Sequence, residues 1–313
     1  MTSGRHLSVG RRVRALGIDL NVLDASGDAR LPPVLFLHGW PTSSFLWRKV
    51  IAELSGSGRL VAPDLPGFGR SEMPAAFACT LDDQARVLGA LVDALDLERV
   101  VLAVHDLGGP IGLLWAVRNP ERVAGLVVLN TLFHRDGPAR LFLSGTPLGL
   151  LALLRARASA RLRFLLLVAR TPGLRRLVFT RALVGEAMRM GTRDRSALSR
   201  EDLSTYAGAF AGAAGRRALR RTFLGPRWEE LAAVEEGIAG LAGRPAEVVV
   251  GTADLLLPGV EEDMRRLAAV LPGAVLRTVP GCGHFVPEDR PDAVVEAIRR
   301  VVDAASSRPT RTR

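Results

Sequence analysis

The sequence predicts an α/β fold in which a mostly parallel central sheet is flanked by helices and a helical lid is inserted between two strands. Short apolar runs end in Gly, Asp, Pro or His, which is typical of strands buried on both faces. Helical patterns separate these runs, and over residues 131–230 the alternation stops. The chain has 313 residues, 48% of them hydrophobic, which suffices for a substantial core.

Six apolar runs are the predicted strands, because each is short and ends in a turn-forming or polar residue. A helix is predicted between the second and third of them, starting at Thr80, where apolar residues recur on one face and Thr80 and Asp83 have the spacing of a capping box. The six runs lie within residues 33–39, 59–67, 99–106, 122–130, 246–254 and 274–284.

The pattern divides the chain into four segments. Residues 1–130 and 231–305 are predicted to form the two parts of the core, and residues 131–230 the helical lid between them. Reactive groups of such sheets collect at the carboxyl ends of the strands, and we place the lid over that edge. Residues 306–313 are expected to be a disordered tail.

The net charge of +10 is concentrated in the predicted lid, where residues 131–230 hold nineteen Arg against seven Asp and Glu. These arginines alternate with Leu and Ala as on amphipathic helices. Tyr206 is the only tyrosine, so the base-stacking aromatics of a nucleic-acid-binding protein are lacking, and we expect no nucleic-acid partner. A solvated helical face explains the charge, with weak attraction to acidic surfaces as a minor contribution.

Several other classes of protein are disfavoured by the composition. Cys79, Cys282 and five scattered histidines offer neither a disulfide scaffold nor metal-ligand spacing, so we expect no metal and no cofactor. Arginines interrupt the most apolar region, residues 141–169, before it reaches transmembrane length. The first residues lack the apolar stretch of a secretory signal. We therefore expect a cytoplasmic protein without an integral membrane segment.

A candidate nucleophile follows the third predicted strand. Asp106 precedes Leu107, Gly108 and Gly109, a pattern that predicts a sharp turn from strand to helix. Such a turn lifts the side chain out of the sheet, and the N-terminus of the next helix stabilises its negative charge. The alternative is that Asp106 only caps this helix.

Two further polar residues follow the last two predicted strands. Asp254 comes directly after one of them and His284 after the other. Asp106, Asp254 and His284 are therefore expected at one sheet edge, in the chain order nucleophile, acid, histidine. An Asx turn at Asp254 and a surface-loop histidine at position 284 are the alternatives.

At these positions the chain resembles the α/β-hydrolase fold family, in the branch that uses an aspartate nucleophile and includes haloalkane dehalogenases and epoxide hydrolases. The phrases PTSSFLWR, LNT at 129–131 and DLLLPG at 254–259 are more similar to the dehalogenases. The motifs of the resemblance are HGWPTSSFLWRKV at 38–50, DLPGFGRSE at 64–72, VHDLGGPIGL at 104–113 and GHFVPED at 283–289.

The resemblance implies a mechanism. Asp106 would displace a leaving group from a saturated carbon and form an ester, which water hydrolyses with His284 as the base and Asp254 as its orienting acid. It also implies that the backbone N–H groups of Trp40 and Leu107 hold the oxyanion, with the Trp40–Pro41 bond a candidate for the cis form.

The leaving group is where the chain departs from both activities. Dehalogenases resembling it have a Trp after the nucleophile, where Leu107 stands, so the indole of Trp40, together with Trp228, is a candidate substitute donor. Epoxide hydrolases supply two lid tyrosines, whereas this chain has Tyr206 alone. Ordinary packing is the alternative role for Trp228 and Tyr206.

The lid stretch from Leu141 to Leu166 is rich in apolar side chains, which favours a small, uncharged, hydrophobic substrate. Our first hypothesis is a haloalkane dehalogenase-like hydrolase, and the second is an epoxide hydrolase with the same triad. The third is a degenerate hydrolase fold that binds without catalysis or is attached to acidic membrane surfaces through its Arg-rich lid.

Overall fold

The computed structural model describes residues 10–135, 179–271 and 273–307. Within them one eight-stranded sheet has the order β1-β2-β4-β3-β5-β6-β7-β8. Strand β2 runs antiparallel to both of its neighbours, and all other pairs are parallel. The strands are β1 (Arg11–Ala15), β2 (Ile18–Ala25), β3 (Val34–Leu37), β4 (Leu60–Pro63), β5 (Val100–His105), β6 (Val123–Leu129), β7 (Ala246–Gly251) and β8 (Val275–Val279).

The predicted fold class is confirmed, and each of the six predicted strands is present. Strands β3, β5, β6 and β7 are buried along their whole length, which explains why they are mainly apolar and do not alternate apolar with polar residues. The hairpin of β1 and β2 was not predicted. It lies at one edge of the sheet, where β1 alternates exposed and buried residues.

Helices cover the sheet as two layers, with α2 packed against α3 and α1 against α10. The capping box predicted for α2 is confirmed: Thr80 Oγ1 accepts from Asp83 N at 3.0 Å, and Thr80 N donates to the Asp83 carboxylate. The helices are α1 (Arg48–Leu54), α2 (Leu81–Ala94), α3 (Gly108–Arg118), α4 (Arg181–Gly191), α5 (Arg200–Gly208), α6 (Gly212–Leu224), α7 (Ala232–Gly237), α8 (Val260–Val270), α9 (Val286–Asp289) and α10 (Pro291–Ser306).

Helices α4, α5 and α6 lie in the predicted lid, between β6 and β7 in the chain. They pack on the core at loops that follow strands: Gly191 in α4 lies against Phe285, and Thr222 in α6 lies against Gly67. The predicted lid residues 136–178, and with them the apolar stretch from 141 to 166, lie outside the described residues, as does the predicted tail beyond Ser307. The boundaries of the lid stay a prediction.

Among the helices that the structure describes, none has an apolar stretch long enough to span a membrane.

The turn between β1 and β2 carries strain that a substitution should relieve. Ala15 pairs with Ile18, so the loop has two residues, and both have positive φ: Leu16 at 47° and Gly17 at 78°. Leu16 is 58% exposed and has no packing role to offset this conformation, which Asn adopts more easily. We expect Leu16→Asn to raise the free energy of unfolding by about 0.5–1 kcal/mol.

The urea midpoint measures this change. Gly17→Ala is the matched control and should lower the midpoint, because alanine is strained at this φ. An unchanged or lower midpoint for Leu16→Asn would contradict the account of the turn.

Candidate active site

Asp106 lies at a strained turn between β5 and α3, with φ at 50°. The turn is tight because Gly108 and Gly109 have no side chains: a Cβ on Gly108 would overlap the carbonyl oxygens of Leu37 and His38, and one on Gly109 would overlap Thr131. The backbone therefore delivers the Asp106 carboxylate to the carboxyl edge of the sheet, next to the N-terminus of α3. Its side chain stays 16% exposed, so a ligand can reach it.

The structure brings the three predicted site residues together. His284 Nδ1 lies 2.8 Å from Asp254 Oδ2, and its Nε2 lies 3.4 Å from Asp106 Oδ2. The imidazole thus stands between the two carboxylates, with its Nδ1–H donating to Asp254 and its Nε2 facing Asp106.

Asp254 is held by a set of donors that leaves its orientation little freedom. Its Oδ1 accepts from the backbone N–H groups of Leu256 and Leu257, at 2.7 and 2.9 Å. Its Oδ2 accepts from Asn130 Nδ2 at 2.8 Å, and Asn130 Oδ1 in turn accepts from Gly251 N at 2.9 Å. Sequence reasoning gave Asn130 no role at the site, although a polar residue at the end of buried β6 was a signal that could have found it.

His105, which the sequence places beside Asp106, supports the backbone of the other histidine. Its Nε2–H donates to the carbonyl oxygen of His284 at 2.9 Å. Complete burial and the nearby His284 charge lower the pKa of His105 to about 4, so its ring is neutral at physiological pH. His105 therefore positions the His284 backbone and carries no charge into the site.

Two backbone N–H groups approach the Asp106 carboxylate. Trp40 N donates to Asp106 Oδ1 at 2.6 Å, and the N–H of Leu107 also favours the ionised form. Gly39 allows the approach, because a Cβ at this position would overlap the carboxylate. The Trp40–Pro41 peptide is cis, as expected. The two predicted oxyanion donors are thus adjacent to the carboxyl oxygens of Asp106.

The charges of the site stabilise one another. Burial alone would raise the pKa of Asp106, but hydrogen bonding and attraction from His284 outweigh it and hold the pKa below its ordinary value; the same holds for Asp254. Burial alone would lower the pKa of His284, but the two carboxylates raise it to about 10. The free site therefore holds an imidazolium between two carboxylates at neutral pH.

The indole of Trp40 already has a partner in the lid. Its Nε1–H donates to the carbonyl oxygen of Leu219 in α6 at 3.2 Å, and its ring lies 4.8 Å from that of Phe223. Trp228, the other predicted donor, begins the 3₁₀ helix Trp228–Leu231 and packs half-buried against the core. Of these two, Trp40 lies next to Asp106 and contacts it through its backbone N–H.

Tyr206 lies in a buried polar cluster that joins the lid to the loop of His284. Its hydroxyl donates to Glu288 Oε1 at 2.5 Å, and Glu288 also binds the guanidinium of Arg48 and, at 2.8 Å, the ammonium of Lys49. A further ion pair joins Arg48 to Asp202 of α5 at 2.9 Å. Burial and the Glu288 charge raise the pKa of Tyr206. The hydroxyl therefore stays protonated and donates a hydrogen bond to Glu288. A role of Tyr206 in substrate binding stays a prediction.

Metal-ligand side chains do not cluster in the part of the chain that the structure describes: no three of the types His, Cys, Asp and Glu are grouped to hold an ion.

The pKa of His284 should report the charge of its neighbour. Asp106→Asn removes one of the two carboxylates that raise this pKa, so we expect it to fall below about 10. An NMR pH titration of the imidazole resonances measures the shift. The matched control is Asp263→Asn, which alters another buried carboxylate, paired with His134 at 2.8 Å, and should leave His284 unchanged. An unshifted His284 in Asp106→Asn would contradict the electrostatic account.

Comparison with known proteins gives an independent view of the chain. The family model described as the alpha/beta hydrolase fold matches residues 32–291. Haloalkane dehalogenase 2 of Mycobacterium tuberculosis is 34% identical over 275 residues, which cover 85% of this chain and 86% of that protein. The haloalkane dehalogenase of Mycolicibacterium smegmatis is 32% identical over 311 residues, covering 89% and 86%.

Among solved structures, the haloalkane dehalogenase DatA from Agrobacterium tumefaciens superposes with a TM-score of 0.76 at 25% identity, covering 94% of this chain and 96% of that one. The resemblance seen in the motifs thus extends over the whole core. The chain belongs to the α/β-hydrolase fold family and is a hydrolase of the haloalkane dehalogenase type.

Proposed function

We propose that this enzyme hydrolyses the carbon–halogen bond of small hydrophobic haloalkanes through a covalent ester on Asp106. The observation that carries the proposal is the partly exposed Asp106 carboxylate at its strained turn, with His284 Nε2 at 3.4 Å and the Trp40 N–H at 2.6 Å. A carboxylate can displace a leaving group from a saturated carbon, whereas it is a poor nucleophile towards an amide.

In the first step, one oxygen of Asp106 attacks the carbon that bears the halogen. The new carbon–oxygen bond forms as the carbon–halogen bond breaks, and the halide leaves with the bonding electron pair. The lowered pKa of Asp106 keeps the attacking group ionised through the neutral range. The imidazolium of His284 balances its charge without bonding to the carbon.

Ester formation prepares His284 for the second step. The ester has no negative charge, so one of the two carboxylates that raise the pKa of His284 disappears and the ring can release its proton to solvent. Neutral Nε2 then takes a proton from water as the water oxygen attacks the ester carbonyl. The N–H groups of Trp40 and Leu107 stabilise the oxyanion. As it collapses, the bond from the carbonyl carbon to the alkyl oxygen breaks and that oxygen takes up the remaining proton of the water. The alcohol leaves, and the Asp106 carboxylate and the His284 imidazolium are restored.

The departing halide needs a donor that Leu107 cannot supply. We assign this role to the indole N–H of Trp40, whose backbone already adjoins Asp106. In the resting structure this N–H is bonded to Leu219 O, so a shift of α6 has to release it before it can bind the halide.

Epoxide opening is less well supported. It needs an acid that protonates the alkoxide formed on ring opening. The only tyrosine of the sequence, Tyr206, is engaged elsewhere, because its hydroxyl donates a hydrogen bond to Glu288. A non-catalytic role is disfavoured because Asp254 is held by several donors in the position where it orients His284. A protein that only binds its ligand does not need an oriented base.

Trapping the ester tests the proposal directly. His284→Gln removes the base, so the ester formed from bromohexane should accumulate on Asp106, and intact mass should show one added hexyl group while bromide is released. An adduct that forms only with hexene oxide and retains its oxygen would instead identify an epoxide hydrolase.

Two control variants accompany the trapping experiment. The double variant Asp106→Asn with His284→Gln should give no adduct. The single variant His134→Gln alters another buried histidine that is paired with a carboxylate, and it should hydrolyse the substrate normally. The absence of any adduct across a panel of bromides, iodides and epoxides would contradict catalysis by Asp106.

The halide donor can be tested separately. Trp40→Phe keeps the backbone N–H and the ring but loses the indole N–H, so we expect kcat/KM for alkyl bromides to fall about tenfold or more, the cost of one hydrogen bond to an ion. Trp228→Phe is the matched control and should have a small effect. A greater loss in Trp228→Phe than in Trp40→Phe would reverse the assignment.

A further inference from the structure

The outward side of α6 carries arginines that form no ion pair with the described residues. The helix contains four arginines and no acidic residue. Arg221 is turned to the carbonyl oxygens of Pro74 and Phe77, whereas Arg216, Arg217 and Arg220 form no ion pair with any carboxylate of the described residues. Arg216 and Arg217 are exposed and Arg220 is half-buried, so three guanidinium groups face outward.

A leucine lies among these arginines. Leu224 is 49% exposed, one of the few large hydrophobic residues left open among the described residues. At about 100° per residue, Arg216, Arg220, Leu224 and Arg217 fall within an arc of about 100° on the helix. We call this arc, made of those four residues, the cationic face.

The rest of α6, from the flank beside Arg216 round to the far side, packs on the core. Leu219 is fully buried, and its carbonyl oxygen accepts from the Trp40 indole. Phe223 stacks on the Trp40 ring, and Thr222 contacts Gly67. In the resting structure these contacts leave the cationic face turned away from the core, on the same helix that contacts Trp40 beside Asp106.

We propose that the cationic face docks on an anionic lipid surface. An exposed apolar side chain among arginines is the pattern of a helix that lies in a membrane interface, with the guanidinium groups on phosphates and the leucine among the upper acyl carbons. Nucleic acid would not use Leu224, and none of the large exposed hydrophobic residues of the described chain is an aromatic that could stack on bases. A membrane surface is also where small hydrophobic molecules concentrate.

Vesicle sedimentation of the full chain tests the proposal, and because it measures binding it does not depend on the proposed catalysis. The protein should sediment with vesicles of phosphatidylcholine plus phosphatidylglycerol, should not sediment with phosphatidylcholine alone, and should dissociate as salt is raised. Combined Arg216→Gln, Arg217→Gln and Arg220→Gln should weaken binding on the order of a hundredfold, at about one decade or less per arginine.

The matched control removes three exposed arginines from other helices, Arg86→Gln in α2, Arg118→Gln in α3 and Arg299→Gln in α10, and should bind as the unchanged protein does. Equal weakening in both triple variants would show that only net charge matters and would overturn the proposal. Leu224→Ser should also weaken binding, and it keeps every charge. Unchanged binding in Leu224→Ser, or binding of single-stranded RNA as strong as that of the vesicles, would overturn the lipid assignment.

Discussion

The site depends on one imidazole held between two carboxylates. His284 can occupy this position because Asp254 binds its Nδ1, His105 holds its backbone carbonyl, and the turn at Asp106 brings the second carboxylate to its Nε2. Burial makes each isolated charge costly, and the alternation of negative, positive and negative charges offsets that cost. The same arrangement makes the basicity of the ring depend on whether Asp106 is ionised, so the loss of charge at one residue alters the proton affinity of the other.

Much of this arrangement could be predicted because it follows from topology. Parallel strands deliver their carboxyl ends to one edge, so polar residues directly after buried runs, such as Asp106, Asp254 and His284, are expected to meet there whatever their separation in sequence. The capping box of α2 is local and was equally accessible. The supporting partners were harder to foresee, because Asn130 and His105 act through single hydrogen bonds whose geometry depends on how β6, β7 and the His284 loop pack together. The β1–β2 hairpin was missed because its strands lie at an edge and include many polar residues.

Tyr206 has a structural role that its residue type does not reveal. A single tyrosine in a predicted lid is a candidate for substrate binding, and that stays a prediction; the chain also buries Glu288, and a buried carboxylate requires donors. Arg48, Lys49 and Tyr206 supply them, and Tyr206 does so from α5. Since Glu288 lies four residues after His284, this cluster anchors the described part of the lid to the loop that carries the imidazole.

Under the proposed role of Trp40, α6 and the leaving halide compete for one donor, because the indole N–H is bonded to the carbonyl oxygen of Leu219 in the resting structure. Thermodynamic reciprocity then applies to the two contacts of the indole. If the bond to Leu219 weakens halide binding by a given free energy, bound halide weakens the contact of α6 by the same amount. A high concentration of halide in the medium would therefore favour release of α6 from the Trp40 indole, without any contact between the halide and Asp106.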